Sequence, residues 1–160
     1  MALQLVCGFL DKYTAKPDSA GQHLQYTGGP GGTGKSRVIG ALRGVFAARG
    51  QPRLLQVTGT SGSAAAHIGG TTFHSACGLD ARRSNNQPPP FSEAKKWTWK
   101  QKPVLFIDEV SMLGGAILYD VSHHLQLLRD CPDKPFGGIP VVLLMGDSTS
   151  SPPCERRVSS

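Results

Sequence analysis

The sequence predicts an α/β fold, a doubly wound parallel sheet with helices on both faces. Three observations predict it. Unbroken apolar runs at residues 104–108 and 141–145 suit strands covered on both sides. Segments of helical periodicity alternate with the strand candidates. A glycine-rich stretch lies where a first strand hands over to a first helix. A chain of 160 residues is about one domain, long enough to bury a real core.

Each element carries its own signal. Residues 1–10 are apolar but carry no basic flank, so a secretory signal is not expected. No apolar run reaches membrane-spanning length, and no membrane partner is expected. Leu24–Thr27 is the first strand candidate. Gly29-Pro30-Gly31-Gly32-Thr33-Gly34-Lys35-Ser36 then fits G-x-x-x-x-G-K-[ST], the phosphate-binding loop. Gly29, Gly31, Gly32, Thr33 and Gly34 would let successive backbone N–H groups converge on a polyphosphate. Lys35 would reach the β- and γ-phosphates, and the Ser36 hydroxyl would face Mg²⁺. Ser36–Arg49 places Ile39, Leu42, Val45 and Phe46 at helical spacing, so a helix N-terminus adds its positive dipole to the site. The expected ligand is ATP with Mg²⁺.

Leu54–Thr58 is the second strand candidate. Residues 80–92 are polar and proline-rich and read as a mobile loop. The run Val104–Asp108 ends in two carboxylates, Asp108 and Glu109, at the strand end where α/β sheets hold ligands. Asp108 is expected to bind Mg²⁺ and Glu109 to orient or deprotonate an attacking water. Ile117, Leu118, Val121, Leu125 and Leu128 form one amphipathic face. Val141–Met145 is the last strand candidate and runs into Gly146-Asp147.

Composition adds less. The net charge of +6 fits a polyanionic partner or a solvated basic surface. The four cysteines form no C-x-x-C pair and read as free thiols. His123 and His124 lack partners at metal-ligand spacing and read as solvated or core histidines. Trp97 and Trp99, flanked by lysines, could stack a base, or pack beneath the preceding loop.

The segment between the two nucleotide motifs narrows the reading. Residues 58–79 run Thr-Gly-Thr-Ser-Gly-Ser-Ala-Ala-Ala-His-Ile-Gly-Gly-Thr-Thr-Phe-His-Ser-Ala-Cys-Gly-Leu. This closely resembles motif Ia of the Pif-one (petite integration frequency) DNA helicases and their Helitron-transposon relatives. Asp108-Glu109-Val110-Ser111-Met112 resembles their D-E-x-S-M, and Pro135-Phe136-Gly137-Gly138 followed by Val141–Asp147 resembles their approach to motif III. The sequence departs from the pattern at Thr60, where the family has Pro, and at Ser61, where it has Thr.

The resemblance implies an ATP-dependent helicase that moves 5′ to 3′ on single-stranded DNA, with roles in DNA repair, recombination and telomere maintenance. It implies a RecA-like P-loop NTPase fold and a nuclear or mitochondrial location. It also implies that the motif III strand inserts between the strands leading to Lys35 and Asp108. Thr58, Thr60, Ser61, Gly62 and Ser63 would touch DNA phosphates, and His74 and Ser75 would lie along the DNA groove. Read without the family, Gly69-Gly70 and His74-Ser75 are a tight turn with local hydrogen bonds.

The family's L-N-x-x-Q motif and second RecA-like domain are not found in the sequence. The expectation is therefore a truncated first domain, residues 1–147, with little activity alone. Residues 148–160 lack apolar periodicity. With synonymous codons chosen to suit, one base inserted after the Asp147 codon shifts the downstream frame to Phe-His-Gln-Leu-Pro-Pro-Val, which matches the family's continuation. This tail is expected to be frameshifted and disordered. The other readings are a non-catalytic remnant that binds nucleotide or single-stranded DNA, and a P-loop NTPase unrelated to DNA.

Overall fold

The computed structural model describes residues 2–16, 21–29, 34–79 and 91–147. Five parallel strands form one sheet in the order β1-β5-β4-β2-β3. They are β1 (His23–Gly28), β2 (Leu55–Gly59), β3 (Thr71–Thr72), β4 (Val104–Asp108) and β5 (Val141–Gly146). The helices are α1 (Ala2–Ala15), α2 (Lys35–Ala48), α3 (Gly62–His67), α4 (Phe73–Cys77), α5 (Glu93–Lys100) and α6 (Gly115–Leu128).

The apolar runs of β4 and β5 fill two cores because successive side chains of a strand point to opposite faces. Val104 and Phe106 of β4 and Val141, Leu143 and Met145 of β5 pack with Val6 and Leu10 of α1 and Ile39, Leu42 and Phe46 of α2. Leu105, Ile107 and Val142 face the other way, onto Phe73, Trp99, Val121, Leu125 and Leu128 from α4, α5 and α6. Both faces are therefore covered, and the sheet is doubly wound as expected. β5 lies between β1 and β4, so the last strand in sequence sits in the middle of the sheet. β1 is at one edge, with Leu24 46% exposed.

Three details add to or depart from expectation. Residues 2–15 form a helix, anchored by Val6 and Leu10 one turn apart. Leu54 belongs to a 3₁₀ turn opened by Pro52, and the strand starts at Leu55. Ile117 lies in the first turn of α6 and faces solvent, whereas Val121, Leu125 and Leu128 are buried. The loop assigned to 80–92 lies outside the described residues up to position 90, and Ser92 caps α5 by accepting the Lys95 N–H. The tail assigned to 148–160 also lies outside them.

The turn before β5 is held from α6. Phe136 and Gly137 both adopt left-handed backbone. A Cβ on Gly137 would lie 2.3 Å from Leu125 O, so only glycine fits there. The Arg129 guanidinium donates from Nε to Gly137 O at 2.8 Å, and from Nη1 to Trp99 O and Lys102 O. It thus ties the ends of α5 and α6 to the entrance of β5. Burial lowers its pKa.

Candidate functional site

The carboxyl ends of all five strands meet at one edge of the sheet. Gly28 pairs with Gly146, and Gly59 pairs with both Asp108 and Thr72. Ligands of open α/β sheets sit at this edge.

The phosphate loop leaves β1 here. Gly29 N–H donates to Gly146 O at 3.3 Å, tying the start of the loop to the end of β5. Gly31, Gly32 and Thr33 lie outside the described residues. Gly34 closes the loop in the left-handed region, at φ 89°, and its carbonyl accepts from Arg37 and Val38 N–H. α2 begins at Lys35, and Ser36 is exposed in its first turn. The buried Ile39, Leu42 and Phe46 anchor α2, whose positive N-terminal end follows directly on Gly34. Gly146 is small for a reason: a Cβ there would lie 2.5 Å from Tyr26 Oη.

The acidic turn leaves β4 two strands away from β1. Asp108 is half-buried, and one of its oxygens accepts the Glu109 N–H at 3.0 Å. Glu109 is exposed and adopts left-handed backbone at φ 56°. Strained backbone of this kind concentrates at functional sites. Buried Val110 and Leu113 pin the 3₁₀ turn next to it. Ser111 Oγ accepts the Asp147 N–H at 3.2 Å, so the acidic turn is bonded to the residue after β5. Ser111 carries no assigned role in the sequence reading, since its partner lies far along the chain.

The segment after β2 divides into structural and exposed residues. Thr58 corrects the sequence expectation. Its side chain is fully buried and donates to Phe106 O at 2.9 Å, because both faces of a central strand are covered. It pins β2 to β4 and cannot offer its hydroxyl to DNA. Thr60 follows at the sheet edge, its Oγ1 buried and without a hydrogen-bond partner. Ser61 caps α3, accepting the Ala64 N–H at 3.1 Å, and its Oγ lies 3.0 Å from Ser63 Oγ. Gly62 and Ser63 are exposed. Thr72 caps α4 by accepting the Ser75 N–H at 3.2 Å, leaving the His74 and Ser75 side chains exposed. The His74 ring lies 3.9 Å from that of buried Phe73. Arg43 donates to Gly69 O, so the glycine pair is indeed a locally bonded turn.

Other candidates separate cleanly. Trp99 is buried and its Nε1 donates to Ala76 O, whereas Trp97 is 64% exposed. Lys96 and Lys100 pair with Asp130, which holds α5 to the end of α6. His124 is half-buried, edge-on to Phe91, and burial lowers its pKa. His123 stacks over Tyr119. Burial pushes the Cys77 thiol up to about 12, so it is inert. Among the described residues no helix is long and apolar enough to cross a membrane.

The family described as PIF1-like helicase matches residues 12–159. The chain belongs to this family. The ATP-dependent DNA helicase PIF1 of Trypanosoma brucei is 36% identical over 121 residues, covering 76% of this chain and 12% of the relative. The PIF1 helicase of Candida albicans is 35% identical over 156 residues, covering 92% of this chain and 16% of the relative. The fold is shared as well. The Bacteroides Pif1 helicase, solved with ADP-AlF3 and single-stranded DNA, superposes with a TM-score of 0.67 at 26% identity. That match covers 92% of this chain and 33% of the Bacteroides chain. The Candida albicans Pif1 structure matches with a TM-score of 0.58 at 33% identity, covering 89% of this chain and 33% of the other. This PIF1-like chain thus carries the P-loop, RecA-like fold and spans a small part of the curated relatives.

Proposed function

We propose that this chain is the nucleotide-binding core of an ATP-dependent DNA helicase that translocates 5′ to 3′ on single-stranded DNA. One observation carries the reading. Gly29, where the phosphate loop starts, and the acidic turn, far apart in sequence, lie at the same sheet edge and bond to Gly146 and Asp147 at the end of β5. The donor set fits Mg-ATP. A left-handed glycine closes the loop, a hydroxyl stands in the first helical turn, and a half-buried carboxylate ends a neighbouring buried strand.

In this reading Lys35 and the loop amides hold the phosphates, while Ser36 and Asp108 hold the metal. The bound ion would neutralise charge developing on the phosphate oxygens. Glu109, exposed on a turn fixed by Val110 and Leu113, orients a water and takes its proton. Thr60, Ser61, Gly62, Ser63, His74 and Ser75 form the DNA-facing border, where small side chains let backbone N–H groups approach phosphate and the exposed side chains of Ser63, His74 and Ser75 add polar contacts. The Bacteroides relative was solved with single-stranded DNA and a nucleotide analogue, which supports this assignment. A second RecA-like domain would complete the helicase.

Thermal shift tests the nucleotide reading. At 100 times its dissociation constant, Mg-ATP adds about 2.7 kcal/mol to stability. The wild-type chain is expected to melt higher with Mg-ATP and Lys35→Ala is not. Equal shifts in both would remove the assignment.

A further inference from the structure

One peptide plane joins the two halves of this site. Its carbonyl is Gly146 O, which accepts from Gly29 at the start of the phosphate loop. Its N–H is that of Asp147, which donates to Ser111 Oγ in the acidic turn. Carbonyl and N–H belong to a single trans amide, so they are coplanar and point in opposite directions. Turning the plane must displace both bonds together. At 3.3 and 3.2 Å both lie at the long end of the hydrogen-bond range, where small rotations make or break them. The Tyr26 phenol lies against Gly146.

We propose that the Gly146–Asp147 peptide couples the phosphate loop to the acidic turn, with Ser111 as the positioning residue that closes the link. The purpose of the coupling rests on the nucleotide reading above; its geometry does not. A phosphate bound beside Gly29 strengthens the Gly29 bond, and polarisation of the shared amide strengthens the Asp147 bond in turn. The turn carrying Glu109 is then held in place. Ser111 acts through that turn and not on the nucleotide itself.

The test compares wild type, Ser111→Ala and Ser111→Thr in the 160-residue chain. Backbone amide exchange is read by NMR without nucleotide. Ser111→Ala is expected to speed exchange about fivefold at Asp147 and, through the plane, at Gly29 as well. Ser111→Thr, which keeps the hydroxyl, is expected to restore both. Faster exchange at Asp147 with Gly29 unmoved would overturn the coupling. Fluorescent ADP provides the second readout. Ser111→Ala is expected to lose about fivefold in affinity with magnesium and nothing without it. Equal affinities for wild type and Ser111→Ala in magnesium would also overturn it. A wild-type chain that binds no nucleotide would sink the nucleotide reading alone, and the exchange data would still decide the coupling.

Discussion

Glu109 and Phe136 share an unusual feature and differ in everything around it. Both are non-glycine residues with left-handed backbone, at φ 56° and 51°. Phe136 is 8% exposed, its N–H donates to Ser122 Oγ, and its neighbour Gly137 accepts from Arg129. Packing over-determines that turn. Glu109 is exposed, and its own side chain adds nothing to the core. Its conformation is set by the residues beside it, Asp108 at the strand end and Val110 beneath. The same backbone strain serves architecture in one place and the aim of a carboxylate in the other. Asp130, also left-handed at φ 52°, lies just past the end of α6, where such a conformation is ordinary.

The comparison breaks most easily at the buried turn. Gly137→Ala puts a Cβ against Leu125 O in a left-handed position and is expected to destabilise the chain by about 3 kcal/mol. Arg129→Ala leaves three backbone carbonyls without their charged donor and is expected to cost a similar amount, about 2–3 kcal/mol. Urea denaturation measures both, and a loss under ~1 kcal/mol in either would show that the turn stands without these contacts.

Glycine substitutions sharpen the contrast because opposite signs are expected. Phe136→Gly removes a buried ring and should lower stability by about 3 kcal/mol. Glu109→Gly relieves strain at an exposed site and should raise stability by about 1 kcal/mol, while removing the carboxylate. Destabilisation by Glu109→Gly would mean that the side chain supports the fold after all.

The smallest effect concerns pH. Hydrogen bonds from Lys100 and Lys96 hold the Asp130 carboxyl below its usual range. Its folded pKa is lower than its unfolded one, so the ion pairs stabilise at pH above the ordinary carboxylate value. That contribution fades as pH falls through the folded value. Asp130→Asn should flatten the acid limb of a stability–pH curve without changing nucleotide binding. An unchanged limb would assign acid sensitivity to other carboxylates.

Much of the architecture is legible in the sequence because buried parallel strands leave no alternation to misread. The run Val-Leu-Phe-Ile-Asp gives β4 to the residue, β1 extends one residue at each end, to His23 and Gly28, and β5 extends one residue into Gly146. β3 is not legible, since two threonines are too short for any period. Among its described side chains, α1 commits Val6 and Leu10 fully to the core, a sparse signal. In the candidate site, Lys35 and Ser36 open α2, Asp108 ends β4 and Glu109 follows it. Thr58 misleads because its motif position says nothing of which strand covers it, and β4 does. The Ser111–Asp147 bond is invisible for the same reason, as it joins two strand ends that only the sheet brings together.

The central position of β5 has a consequence during synthesis. Among the described residues β1 pairs only with β5, and β5 leaves the ribosome after the other four described strands. The strand that launches the phosphate loop therefore waits for its described partner until the whole span between them is translated. Pairings this distant form slowly and leave apolar edges exposed meanwhile. β2 and β4 can zip together earlier, so a half-sheet with an open edge precedes the arrival of Val141–Gly146.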